Sequence, residues 1–392
     1  MNPMDQLRAA RPAHLDTPVD ESTRAAELSH AMAQARPARR RKISRPVWGL
    51  SLAGAAAAVT AAVAVTVTGG TAPTQGTAAG GTTPSPSAPS ATRSGQPVVR
   101  LSAKQILLVA AESSLKARED DSGAYWYVEG VSGNASRVGT AVRYTVHSTG
   151  SHRLWVARSP KGESWFVDQN LGTKPAPGEE EAWKKDGSPA KWTVEMPAPK
   201  QNDKQGTKRL VIEAKAGKPF GNPINLGDKV FDLAGRNVSV AELQELPTTA
   251  AALKRRLLQG YAGHGTESNE KQDANTWLYQ VTSGLLSEMP VKPAVRAAAY
   301  QVLAGMDGVR SLGEVTDALG RKGQGIARPE AWSDGRFERQ LIVDPETGVL
   351  LTDQIVAVRA TGAYAWAKPG TAINWTSTTE ASWTDKEPVK PE

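Results

Sequence analysis

The chain of 392 residues carries 47 Lys and Arg against 40 Asp and Glu, a formal charge of +7, with 39% hydrophobic residues and no cysteine. The missing thiols exclude disulfides, thiolate metal sites, a cysteine nucleophile and acylation at a lipobox cysteine, so an exported domain must be held by packing alone. Residues 1–46 hold 9 basic and 5 acidic residues and the remainder 38 and 35, a near-balanced surface that gives little reason to expect contact with nucleic-acid phosphates.

Residues 1–46 are too short for a domain and are expected in the cytoplasm. Within them, residues 22–35 (STRAAELSHAMAQA) offer Ser22 or Thr23 as a cap and place Ala26, Leu28, Met32 and Ala33 on or near one side of a short helix. A partner-binding helix and a frayed amphipathic stretch fit this pattern equally.

No residue from 46 to 92 is charged, and 47–68 (VWGLSLAGAAAAVTAAVAVTVT) is an apolar run of 22 residues. At about 1.5 Å per residue, a helix of that length matches a hydrocarbon layer of roughly 30 Å. One transmembrane helix is expected. Much of the run is Ala, Gly and Thr, so its apolar weight rests on Val47, Trp48, Leu50, Leu52, Val59, Val63, Val65 and Val67. The flanks are asymmetric: Arg36, Arg39, Arg40, Arg41, Lys42 and Arg45 precede it, and the first charge beyond is Arg93. Basic residues stay on the cytoplasmic side, so the amino end is expected inside and the rest of the chain outside the cell membrane. A cleaved signal peptide competes with this reading. Both the 46 residues before the run and the run itself are longer than such peptides use, and a retained anchor is expected.

Residues 69–97 are almost wholly Gly, Thr, Ala, Pro and Ser, which cannot bury enough apolar surface to offset ordering entropy. They are expected as a disordered tether with a reach of roughly 30 Å. Residues 98–385 then form the extracytoplasmic domain, and 386–392 a disordered tail.

The domain opens with a helix over 102–118, where Ser102 and Gln105 stand at capping-box spacing. The period then becomes two, as Trp126 and Val128 alternate with Tyr125 and Tyr127, and Val142, Tyr144 and Val146 with Arg143 and Thr145. Residues 124–170 therefore read as an antiparallel meander. Residues 171–208, rich in Lys, Pro, Gly and Glu, read mainly as a long connection. Three helices follow over 249–259, 273–288 and 293–304, the last with Pro293 at its start and Gly305 at its end. Trp277, Val281 and Leu285 form an i, i+4, i+8 stripe expected in the core. Strands return over 308–319 and 323–327, a hairpin joins 340–343 to 349–358 through Asp344 to Gly348, and a last strand lies in 372–379. Strands, helices, then strands without regular alternation predict an α+β fold: a curved antiparallel sheet, open-barrel-like, carrying a helical layer.

Motifs of catalysis are missing. There is no HExxH, G-x-S-x-G elbow, P-loop or G-x-G-x-x-G after a strand, and neither a metal nor a cofactor is expected. His147, His152 and His264 stand at no metal-ligand spacing, and paired acids such as Asp120 with Asp121 lie in polar loops. Ten tryptophans beyond residue 100 are the one unusual feature, most of them expected in the core. Trp126, Trp155, Trp165 and Trp277 are the candidates for a groove that holds an apolar or peptide ligand.

Three stretches together resemble a family of uncharacterised single-pass membrane proteins of high-G+C Gram-positive bacteria, often encoded beside extracytoplasmic-function sigma factors. They are MDQLRAARP (4–12), the span from LPTTAAALKRRLL (246–258) to PAVRAAAYQVLAGMDGVRSLGEVTDALGRKG (293–323), and RQLIVDPETGVLL (339–351). The resemblance covers most of the chain and implies a setting, not catalytic residues. The tail departs from better-known anti-sigma proteins in lacking a His and Cys zinc cluster, with only His14 and His30 present. More loosely, the strand pattern resembles the open barrel of lipoprotein carriers and related envelope-stress sensors. The expectation is a non-enzymatic sensing or binding domain tied to a sigma factor through residues 1–46. The alternative is a membrane-tethered carrier of a lipid or other hydrophobic ligand.

Overall fold

Ser102 caps the first helix, α1 (Ala103–Lys116), through the reciprocal box its sequence spells: Gln105 N donates to the Ser102 hydroxyl, and the Gln105 side chain accepts from Ser102 N at 2.9 Å. The structure is a computed structural model that describes residues 101–117, 122–201, 204–266 and 271–391, with backbone alone for 196–201 and 204–208. The expected tail helix, the six flanking cations Arg36 to Arg45, the apolar run and the tether all lie outside the described residues. Among the described residues no helix is long and apolar enough to cross a membrane.

After α1 come β1 (Tyr125–Val138), β2 (Tyr144–Ala157) and β3 (Trp165–Pro175), then α2 (Glu180–Lys185), the hairpin β4 (Lys191–Gln201) and β5 (Lys204–Glu213), β6 (Phe220–Pro223), and a small hairpin β7 (Phe231–Leu233) and β8 (Arg236–Val238). The helices α3 (Val240–Gln244), α4 (Ala250–Leu258), α5 (Ala274–Ser287) and α6 (Pro293–Ala304) precede β9 (Arg310–Thr316), β10 (Lys322–Trp332), β11 (Gly335–Asp344), β12 (Val349–Ala360) and β13 (Ala372–Thr384).

Nine strands make one antiparallel sheet in the order β6-β3-β2-β1-β13-β12-β11-β10-β9. The fold is therefore α+β, and the sheet is open, with β6 and β9 at its two edges. Its halves are two meanders on either side of the helices in sequence, joined where β1 pairs with β13 from Tyr125↔Thr384 to Asn134↔Asn374.

One face of the sheet is covered by helices. Ile106 and Leu107 of α1, Leu253 and Leu257 of α4, Trp277 and Leu285 of α5, and Tyr300 and Leu303 of α6 share a single apolar cluster with Trp126, Val128, Leu154, Val156, Ile326, Leu341 and Val343 from the strands. Burying a side chain of this size contributes about 1.5–3 kcal/mol. The expected stripe Trp277, Val281, Leu285 is in this core.

One expectation is corrected. Residues 171–208 are not mainly a connection: they hold α2, β4 and the start of β5, because Trp192 and Val194 alternate with Thr193 and Glu195 and bury with Ile212 against Val138, Tyr144 and Val146. Trp192 Nε1 also donates to Tyr144 Oη at 2.7 Å. Lys and Pro dilute that alternation, so it is stabilised by tertiary packing and is faint as a local signal. Residues 386–391 have no regular secondary structure, and within them Lys390 Nζ stands 4.6 Å from the Trp165 ring centre and 3.6 Å from Glu163 Oε2.

Candidate functional site

The four tryptophans proposed as one groove fall on two faces. Side chains of paired residues share a face and alternate along each strand. Trp126 is on the helix-covered face, in edge contact with Trp383 at 5.4 Å and donating from Nε1 to Glu288 O at 2.7 Å. Trp277 of α5 lies in the same core, tilted against Tyr261 at 5.5 Å. Trp155 and Trp165 are direct partners across β2 and β3. They stand on the opposite face, Trp155 against Tyr127 at 4.9 Å.

The register exposes a feature that no tryptophan marks. On the helix-covered face, past the apolar core, Asn170, Ser132, Thr376 and Asp353 follow one another across β3, β1, β13 and β12, with Gly150 of β2 between the first two. The adjacent row runs Thr173, Ser148, Asn134, Asn374, Ile355, Arg339 and Arg328 from β3 to β10. A polar belt thus crosses seven strands on the face where the helices pack. Asn170, Ser132, Asn134, Asn374 and Thr376 are half-buried.

At the β10–β12 end the belt is charged. Arg339 Nε donates to Glu330 Oε1 at 2.9 Å and Arg339 Nη1 to both oxygens of Asp353 at 3.0 and 2.9 Å. Helix α5 supplies the facing wall: Gln280 Nε2 donates to Glu330 Oε1 at 3.1 Å, and Thr276 Oγ1 accepts from Arg328 Nη1 at 2.9 Å. Asp273 caps α5 through the amides of Asn275 and Thr276, both at 3.0 Å, which anchors this end of the helix over the belt. A helix of 14 residues is about 21 Å long. Five strand spacings from β10 to β2 come to about 24 Å, so α5 reaches across the sheet and its C-cap, Glu288, meets β2.

Burial raises Asp353, and Arg339 only partly offsets it. For Glu330 burial acts in the same direction, but Arg339, Gln280 and Trp332 together outweigh it and hold the carboxyl below its ordinary value. The phenol of Tyr279, which burial pushes far up, lies beside these charges with the Arg328 guanidinium 5.8 Å from its ring. Tyr279 Oη, Arg328 Nε and Thr173 Oγ1 are buried and make no hydrogen bond. Buried polar atoms without partners are uncommon in a core built for stability alone.

At the other end of α5, His152 Nε2 meets Glu288 Oε1 at 3.1 Å. His152 pairs with Asp168 across β2 and β3, on the helix-covered face. Burial lowers the imidazole, but the Glu288 hydrogen bond and the charges of Glu288, Asp168 and Glu129 outweigh it and leave it raised. The contact ties sheet to helix. Among the described residues no three His, Asp or Glu side chains are grouped to hold a metal ion.

The arrangement suits recognition: it offers donors and acceptors at fixed positions along one belt. It defines an α+β domain with an open nine-stranded antiparallel sheet, helices on one face and a polar belt whose β10 end meets α5. Comparisons of the chain with protein-family models, with curated protein sequences and with solved structures give no match.

Proposed function

We propose that the chain is a non-enzymatic single-pass membrane protein whose extracytoplasmic domain senses or binds a polar ligand along the belt. Its tail, residues 1–46, contacts a cytoplasmic sigma factor. The observation that carries the binding part is that three of the six buried, unpartnered side-chain polar atoms among the described residues, Tyr279 Oη, Arg328 Nε and Thr173 Oγ1, are on the face where Ser132, Asn134, Asn170, Asn374 and Thr376 stay half-exposed. A ligand with acceptors and donors of its own would satisfy them. The membrane part is supported by the uncharged stretch 46–92 and its cationic flank.

In the open-barrel-like picture, a carrier of acyl chains needs an apolar trough. Here the apolar part of the helix-covered face is filled by α1, α4, α5 and α6, and the row beyond it is polar. A polar ligand is therefore favoured over a lipid.

Native mass spectrometry of the full chain released from membranes tests this. A polar molecule retained by the native chain and lost with Arg328→Met and Tyr279→Phe supports the proposal. Retention of a lipid that ignores both substitutions overturns it in favour of a carrier. The sigma-factor part is tested separately by cross-linking in intact cells, and it falls if residues 1–46 never cross-link to one.

A further inference from the structure

Among the described residues no second layer of regular structure covers the face away from the helices at β2 and β3, yet Trp155 is 3% and Val167 1% exposed there. The chain's own segment 385–391 reaches this face at β3 and β6. Asp385 Oδ1 accepts from Ala124 N at 2.9 Å, just before β1. Lys390 then stands over Trp165 of β3, and the Pro391 ring carbon Cδ comes within 3.2 Å of the place a Cβ would take on Gly221 of β6. The segment therefore runs from the start of β1 to β3 and β6, where Trp165 continues the row Tyr127, Trp155.

Its sequence is Glu387-Pro388-Val389-Lys390-Pro391. Each proline restricts the residue before it to extended or polyproline geometry, in which every third residue returns to the same side. The burial follows that period: Pro388 and Pro391 are half-buried, while Val389 and Lys390 between them are exposed. Lys390 uses its charge sideways, 4.6 Å from the Trp165 ring centre and 3.6 Å from Glu163 Oε2, while Trp165 Nε1 donates to the same carboxylate oxygen. Aromatic rings for prolines, with a carboxylate and an indole for a cation, are the chemistry by which extended proline-containing peptides are recognised.

We propose that Tyr127, Trp155 and Trp165, with Glu163, form a binding site for extended peptides of the type Pro-x-Lys-Pro, occupied in this molecule by residues 388–391. The prolines pack on the aromatic row and the lysine sets direction through Glu163. Release of the segment opens the site to a peptide of the same chemistry from another protein. The site is on the face opposite the polar belt and independent of it.

The test compares the full chain with one ending at Thr384, using a fluorescent peptide of residues 385–391 and its anisotropy. A tethered competitor acts at an effective concentration in the millimolar range, so the shortened chain is expected to bind the peptide at least about tenfold more tightly. Trp165→Ala and Glu163→Gln in the shortened chain are each expected to weaken binding severalfold, and a peptide with Ala in place of Lys390 and Pro391 is expected not to bind. The proposal is overturned if the shortened chain keeps the near-ultraviolet circular dichroism of the full chain and does not bind, or if Trp165→Ala and Glu163→Gln leave binding unchanged. Should shortening unfold the domain, the full chain carrying Lys390→Ala and Pro391→Ala takes its place under the same criteria.

Discussion

Arg339 and Asp353 meet diagonally across adjacent strands, with one guanidinium nitrogen of Arg339 on both carboxylate oxygens at 3.0 and 2.9 Å. The second side of the guanidinium is spent on Glu330 at 2.9 Å. One cation therefore serves two carboxylates under α5, and neither acid has another cation at salt-bridge distance among the described residues.

Removing that cation leaves both carboxylates uncompensated. Breaking a buried pair in this way costs about 3–5 kcal/mol. Because the Arg339 and Asp353 side chains are 22% and 19% exposed, Arg339→Met is expected near the lower end of that range. Urea denaturation measures it. Replacing Arg339, Glu330 and Asp353 together by apolar residues of similar volume is expected to cost far less, and an equal loss would show that the charges matter only through shape.

Two strand histidines set opposite pH responses. His152 is raised, so the stability from its contact with Glu288 is fully present below about pH 6.5 and is lost as pH rises through its folded value. His147 is lowered to about 4 by burial. Its contribution is present above about pH 6.5 and is lost as pH falls toward 4, by at most about 3 kcal/mol. Urea midpoints between pH 4 and 9 are expected to lose the alkaline decline in His152→Gln and the acid decline in His147→Gln. An unchanged profile in either variant rejects the assignment for that histidine.

Gly133 lies beneath the Trp375 indole, and a Cβ there would come within 1.9 Å of the ring. Gly133→Ala is expected to destabilise by about 1–3 kcal/mol through overpacking. In a Trp375→Ala background the same change is expected to be nearly neutral, and a thermal-melt double-mutant cycle reads the coupling. Additive losses would mean that the indole is free to move aside.

The proposed anchor has its own readout. The full chain is expected to stay with the membrane pellet after alkaline extraction, and a chain lacking 47–68 to appear in the soluble fraction. Release of the full chain under those conditions would remove the basis for the membrane reading.

Helix positions were legible because their signals are local. Ser102 with Gln105 wrote the cap of α1, Pro293 opened α6, and the Trp277, Val281, Leu285 stripe pointed inward as its spacing required. The hairpin turn from Asp344 to Gly348 was equally plain, with Gly348 at φ +70° where a side chain would be strained. The grouping of Trp126, Trp155, Trp165 and Trp277 on one side could not be checked within the sequence, for a physical reason. Aromatic residues on both faces of a strand read alike, and Trp126 and Trp155 are separated only by the parity of their register. The belt was illegible for the same reason, since Ser132, Asn134, Asn374 and Thr376 look like ordinary solvent-facing strand residues.

By itself the sequence determined the alternation and the α+β class of this domain, because capping, period and turn chemistry act within a few residues. Only the tertiary structure decided that β1 pairs with β13, residues more than 230 positions apart along the chain. That pairing carries the polar row across the joined meanders. Alternation says that neighbours point to opposite sides, but which side is covered depends on strand partners and on helices that no local window contains.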